Sequence, residues 1–190
     1  SSSIALAAAR QEDWLTANGA ACLWNYHLPL VSARAHAELY AALEEAVASL
    51  LLTARPAPQL LCSLAEALAV LLEQRHAAGE PCEYPPPGMA AEAPELGDGS
   101  CLGHGVAVCQ RAAALATPMV AKRVLAAQVR LEAARGGGPA SFKAPADAPA
   151  EARLVMLLEA VRIDEEGRAG RVAEAAALIP EAGPNPELQA

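Results

Sequence analysis

The sequence predicts an all-α protein: antiparallel helical hairpins stacked as an α-solenoid of helical-repeat type, with long Pro- and Gly-rich loops between them. Three observations predict it. The apolar share of the 190 residues is 54%, most of it Ala and Leu, while aromatics supply 3%, which is the composition of helices rather than strands. Leucines recur at spacings of three and four through most of the chain, the period of a single helix face. Prolines and glycines punctuate those runs, where they stop one helix and start the next.

The first helical run opens at Asp13, a good N-cap residue. It carries Trp14, Ala17, Ala21, Cys22 and Asn25 along one face, where small side chains let a neighbouring helix approach closely. Pro29 lacks an amide hydrogen and disfavours the helical region for Leu28, so a break is expected between Leu28 and Ser32. The next run places Leu39, Leu43, Val47, Leu50 and Leu51 on one stripe, with Glu38, Glu44, Glu45 and Ser49 mostly off it. These two runs read as an antiparallel hairpin with a shared seam. Thr53 to Pro58 is a linker in which Pro56 and Pro58 end one helix and begin another. The third helix then runs to about Ala77, with Leu61, Leu64, Leu68, Leu71 and Leu72 as its stripe and Glu66, Glu73, Gln74 and Arg75 elsewhere. Residues 1–77 form the first unit.

Residues 78–102, AGEPCEYPPPGMAAEAPELGDGSCL, have no apolar period and are rich in Pro, Gly and acids, which predicts a surface insertion. Pro85 to Pro87 favour an extended backbone. A second hairpin occupies 103–135. Its first helix runs from about Gly103 to Ala116, and Thr117 with Pro118 opens a second, whose apolar side is Val120, Val124, Ala127 and Leu131 and which ends at Gly136 to Gly138. The unit has the length of a tetratricopeptide-type pair without that repeat's signature residues. After a loop at 136–147, Asp147 and Pro149 announce a third pair over 148–179. Its first stripe is Leu154, Leu157, Leu158 and Val161, and Arg168 to Ile179 make the last helix. Pro180, Pro184 and Pro186 forbid a continuation, leaving a Pro-rich tail at 180–190.

The formal net charge of −8 argues against general nucleic-acid binding, which needs clustered Lys and Arg. Locally the balance reverses: Arg111, Lys122, Arg123, Arg130 and Arg135 face a single acid, Glu132, between Cys101 and Arg135. This is either a solvated helix face or a contact to an acidic partner surface such as tubulin or a calmodulin-like protein. No uncharged run of about 18 apolar residues predicts a membrane span. The chain starts without Met and starts and ends in mid-pattern, so it reads as a segment of a much larger protein. Five irregularly spaced cysteines, Cys22, Cys62, Cys82, Cys101 and Cys109, fit a reducing, cytoplasmic-type compartment, with Cys22 and Cys62 on apolar helix faces.

Chemistry is sparse in the sequence. Cys82, Cys101, His104 and Cys109 are zinc-type ligands, but only Cys101 and His104 have a suitable gap, and unpaired thiols are the better reading. Gly97, Gly99, Gly103 and Gly105 follow no strand and precede no Gly-Lys-Ser or Gly-Lys-Thr element, so no phosphate loop is predicted. His27, His36, His76 and His104 stand beside no nucleophile motif, with His27 the one expected to be partly buried. Glu44 with Glu45, and Asp164 to Glu166, read as solvated charge rather than paired acid and base. No enzyme, metal or cofactor is predicted. Trp14 and Trp24 point in different directions from one helix, one toward the core and one toward a partner, and Trp24 with Tyr26 marks the expected interface.

One stretch adds more. The order Trp14, Asn18, Asn25, a turn through His27 and Leu30, then Arg34, Glu38, Leu39, Ala42 and Leu43 resembles the cilia- and flagella-associated protein 54 family of the central-pair apparatus in motile cilia. The resemblance continues more loosely through Val106 to Leu115, Leu125 to Leu131 and Arg153 to Val161, about half of the chain, and omits Ala78 to Leu102. The family has a His- and Asn-rich turn where this chain has Tyr26, His27, Leu28 and Pro29 and is a residue shorter. The resemblance implies a structural part of a central-pair projection, needed for projection assembly and ciliary motility and located in the axoneme. Its implied partners are other central-apparatus proteins, with tubulin and calmodulin as further candidates. Arg111, Lys122, Arg123 and Arg130 join Trp24 and Tyr26 as interface candidates. A cytoplasmic helical-repeat adaptor that captures peptides or protein partners is the alternative; it would show polar and aromatic side chains converging on one groove.

Overall fold

A computed structural model describes residues 3–32, 37–82, 84 and 96–182. Among these residues the chain forms α1 (Ser3–Ala9), α2 (Asp13–Ser32), α3 (Tyr40–Leu52), α4 (Pro58–Ala78), α5 (Cys101–Ala114), α6 (Pro118–Arg135), α7 (Ala150–Ile163) and α8 (Arg168–Ala182). Short 3-10 turns at Ala37–Leu39 and Pro139–Ser141 lead into α3 and α7, and no strand occurs among the described residues. Each helix packs on its neighbours in sequence: α3 on α4, α4 on α5, α5 on α6, α6 on α7, α7 on α8. Such neighbour-by-neighbour stacking is the helical-repeat arrangement the periodicity predicts. Other contacts reach further along the chain: α4 touches α6 as well as α5, α1 lies against both α2 and α3, α2 reaches α4, and α3 reaches α5.

The termini of the helices follow from local chemistry. Pro58 and Pro118 occupy first helical positions, where the missing amide hydrogen loses nothing. Ser100 caps α5 by accepting a hydrogen bond from the Gly103 amide at 3.0 Å, and Gly79 closes α4 at φ 71°, a left-handed conformation suited to glycine. The core is a leucine layer, with Leu43, Leu50, Leu61, Leu64, Leu68, Leu71, Leu72, Leu131, Leu154 and Leu157 all buried. Gly105 lets α5 settle into it, since a Cβ there would lie 2.8 Å from Leu131 Cδ1 and 3.4 Å from Leu72 Cδ1.

Several expectations are corrected. Pro29 does not break the first long helix: α2 runs through it to Ser32. Proline this near a helix end removes only the bond to the Asn25 carbonyl, and Pro29 is exposed, so water can take that carbonyl. Pro180 is likewise inside α8, which reaches Ala182. The hairpin seam is shared with a helix the periodicity did not reveal, α1, whose Ile4, Ala5, Ala7 and Ala8 are buried. The face carrying Trp14, Cys22 and Asn25 points outward, and α2 instead covers Thr16, Ala20, Leu23, Trp24, His27 and Val31. Asp13 accepts hydrogen bonds from the backbone amides of Ala54 at 3.4 Å and Arg55 at 3.2 Å, tying α2 to the α3–α4 linker. Leu158 is exposed, and Val155, Met156 and Ala160 take the core positions of α7 beside Leu154 and Leu157. The insertion at 78–102 is docked at both stems, with Tyr84 half-buried, Leu96 buried, and Cys101 and Leu102 already in α5. The triple proline lies outside the described residues.

Candidate functional site

Of the six interface residues expected from sequence, three converge. Trp24 from α2 and Arg123 and Arg130 from α6 line one groove of about 570 Å³, with Leu28 and Val31 at its α2 side and Glu66, Val70 and Glu73 at its α4 side. Arg162 of α7 closes it. Trp24 is half-buried and packs against the core, so it is an anchor for the groove wall rather than a free side chain. Tyr26 stands apart at 82% exposed, and Arg111 and Lys122 are exposed outside the groove.

The basic residues of α6 meet carboxylates that the local charge count could not foresee. Arg130 lies 3.8 Å from Glu73 and 3.3 Å from Glu159, Arg123 lies 3.6 Å from Glu66, and Arg135 lies 2.7 Å from Asp98. Glu159 also accepts from Arg162 at 2.7 Å. Burial works to raise the Glu159 carboxyl, but the hydrogen bonds from Arg162 and Arg130 outweigh it and hold the group below the usual carboxylate range. The groove is therefore a charge-balanced network over an aromatic and aliphatic floor, not a basic stripe.

Beside the groove, α2 presents an unusual outer surface. No Asp, Glu, Lys or Arg occurs from Trp14 to Ala33, and of the twenty α2 residues only Thr16 and Ala20 are buried. Trp14 is 66% exposed, and Leu15, Leu28 and Leu30 are also open to solvent. Solvated helix faces normally carry charge, and depletion of charge around exposed aromatics is what the centres of protein interfaces show. Trp14, rather than Trp24, is thus the tryptophan that faces outward, and Cys22 is exposed with it.

A second cluster was not visible in the sequence as a site. Glu44 of α3, expected to be solvated, is 2% exposed and both its carboxylate oxygens lie 2.9 and 3.0 Å from Nε2 of His104 on α5, itself 0% exposed. The Nε2 hydrogen is donated to the carboxylate, while Nδ1 has no hydrogen-bond partner among the described residues. Tyr84 covers the imidazole with ring centroids 4.2 Å apart. His27 is only half-buried, its Nδ1 2.9 Å from the Leu23 carbonyl, so the core histidine is His104. The nearby thiols are shifted away from reactivity: burial pushes Cys82 up to about 11, and it pushes Cys62 and Cys109 upward too. Tyr84 is raised to about 12 by burial and by the Glu44 charge. What this arrangement does well is lock α3, α5 and the stem of the insertion in one register. The four zinc-type ligands do not assemble: His104 is engaged by Glu44, and Cys109 is buried in the helical core. Among the described residues no group of three or more His, Cys, Asp or Glu is placed to hold a metal ion. None of the described helices is long and apolar enough to cross a membrane.

Comparison with protein-family models, with curated proteins and with solved structures found no match.

Proposed function

We propose that this chain is a non-catalytic scaffold that works by protein–protein contact, with the uncharged outer face of α2 as its main docking surface. The observation that carries this is the charge-free run from Trp14 to Ala33 together with the exposure of Trp14, Leu15, Tyr26, Leu28 and Leu30. Burying such a face against a partner removes apolar area from water, at roughly 25 cal/mol per Å². The biological setting we propose, a projection of the ciliary central-pair apparatus, is supported by the resemblance of the Trp14 to Leu43 stretch. Affinity purification of the protein from motile axonemes, with mass spectrometry of what survives a high-salt wash, tests it. Central-apparatus proteins should be retained, because apolar contacts resist salt, and Tyr26→Asp with Trp14→Ala should release them.

The groove favours a second reading. Trp24, Leu28 and Val31 beside Arg123, Arg130, Glu66 and Glu73 form the mixed aromatic and polar lining a peptide-capturing adaptor needs. Under that reading the partners are soluble cytoplasmic proteins, their capture falls when Arg162 and Arg123 are replaced by Ala, and α2-face variants leave it unchanged.

A further inference from the structure

Cys82 and Cys101 bracket most of the Pro- and Gly-rich insertion. Cys101 opens α5 and is buried, and its thiol donates to the Glu80 carbonyl at 3.6 Å. One turn further along α5, His104 is stacked under Tyr84 at 4.2 Å. Residues 80 and 84 are thus each held against the first turn and a half of α5, at Cys101 and His104. Cys82 lies midway between those two anchors, half-buried and packed on the same core, with its thiol hydrogen-bonded to Tyr40. A disulfide needs Cα atoms about 4.4 to 6.8 Å apart, and the Cys101–Glu80 and His104–Tyr84 contacts hold the stem against α5 on either side of Cys82.

We propose that Cys82 and Cys101 are an oxidisable pair that closes into a disulfide under a disulfide oxidant such as oxidised glutathione, stapling the base of the insertion to α5. The half-buried Cys82 reacts first. Its thiol loses a proton to solvent, and the thiolate attacks one sulfur of oxidised glutathione, breaking that S–S bond and releasing one glutathione as thiolate. The Cys101 thiolate, formed by loss of its own proton, then attacks the Cys82 sulfur of the mixed disulfide and releases the second glutathione. One glutathione disulfide is reduced, two protein thiols are oxidised, and the two protons end on the two glutathiones. Excess glutathione thiol reverses both exchange steps and returns the pair to its reduced form, and because burial keeps the Cys82 thiol protonated, its attack accelerates about tenfold per pH unit from pH 7 to 9.

The test uses the whole chain with oxidised glutathione at pH 8.5, then alkylation of the remaining thiols. Trypsin cannot separate the pair, since no Lys or Arg lies between His76 and Gln110, but a glutamyl endopeptidase cuts at Glu83, Glu92 and Glu95. The expected product is a Cys82 peptide cross-linked to a Cys101 peptide, two hydrogens lighter than the reduced pair, with the exposed Cys22 carrying glutathione. Nicked, oxidised protein should run as one band without reductant and as two with it, and Cys82→Ser should run as two bands in both. Cys82 retaining glutathione while Cys101 is alkylated, or Cys82 pairing with Cys22, Cys62 or Cys109, overturns the proposal.

Discussion

Replacing one member of the Glu44–His104 pair should damage the fold far more than replacing both. The pair joins α3 to α5 across the core, with side chains 2% and 0% exposed and separations of 2.9 and 3.0 Å. His104→Leu removes the hydrogen-bond donor of the Glu44 carboxylate in the core, and Glu44→Leu leaves an imidazole with neither nitrogen bonded among the described residues. Removing one partner from a buried pair costs about 3 to 5 kcal/mol, whereas an apolar replacement of both is often neutral or stabilising. The double variant should therefore unfold within about 1 to 2 kcal/mol of the parent, giving a coupling energy of at least about 3 kcal/mol in favour of the double variant. Urea unfolding followed by circular dichroism at neutral pH measures all four proteins. If the two single losses simply add in the double variant, the two residues do not act as a pair and the register argument for α3 and α5 is wrong.

Three further outcomes follow from the same packing. Gly105→Ala should lower stability by about 1 to 3 kcal/mol, because its methyl would meet Leu131 and Leu72 in a core with no slack; an unchanged urea midpoint would mean α5 sits further from α6. Leu64→Ala should cost about 2 to 4 kcal/mol in the same assay through lost burial and a cavity. Stability should also fall as pH rises above about 9. Cys82, Cys62 and Cys109 release their protons at higher pH when folded than when unfolded, and so does Tyr84. Between the two values the folded state holds more protons and alkali favours unfolding, at up to about 1.4 kcal/mol per pH unit for the fully buried Cys109. A thermal midpoint flat from pH 8 to 11 would contradict the burial of those groups.

Helices α3 to α7 were legible because their leucines keep one period and their ends carry Pro, Gly or Ser in positions with a clear physical role. The register of α2 was not, because its apolar residues surround the helix and no charges mark an outer face. Periodicity has nothing to say where both sides are uncharged. The α1 helix was too short, and too rich in Ala, to announce itself. Pro29 and Pro180 predict breaks in the sequence, whereas within a few residues of a helix end each removes little. Glu44 and His104 lie sixty residues apart. The signal was that each interrupts an otherwise apolar face, Glu44 beside Leu43 and Val47, and His104 within Leu102 to Val108. Two complementary polar residues on two buried faces is the pattern that would have found the pair. The groove was half legible: Trp24, Arg123 and Arg130 stand out in the sequence, but the acids that neutralise the arginines come from α4 and α7, beyond any local charge count.

The proposed scaffold role requires that the outer face of α2 be covered by another protein. It is tested most directly by placing a photo-crosslinking amino acid at Tyr26 in the protein within isolated axonemes, with Gln74 on the exposed side of α4 as the control position. Crosslinks from position 26 to central-apparatus proteins, and none from position 74, are the expected result. Equal crosslinking from both positions, or none from position 26, would contradict it.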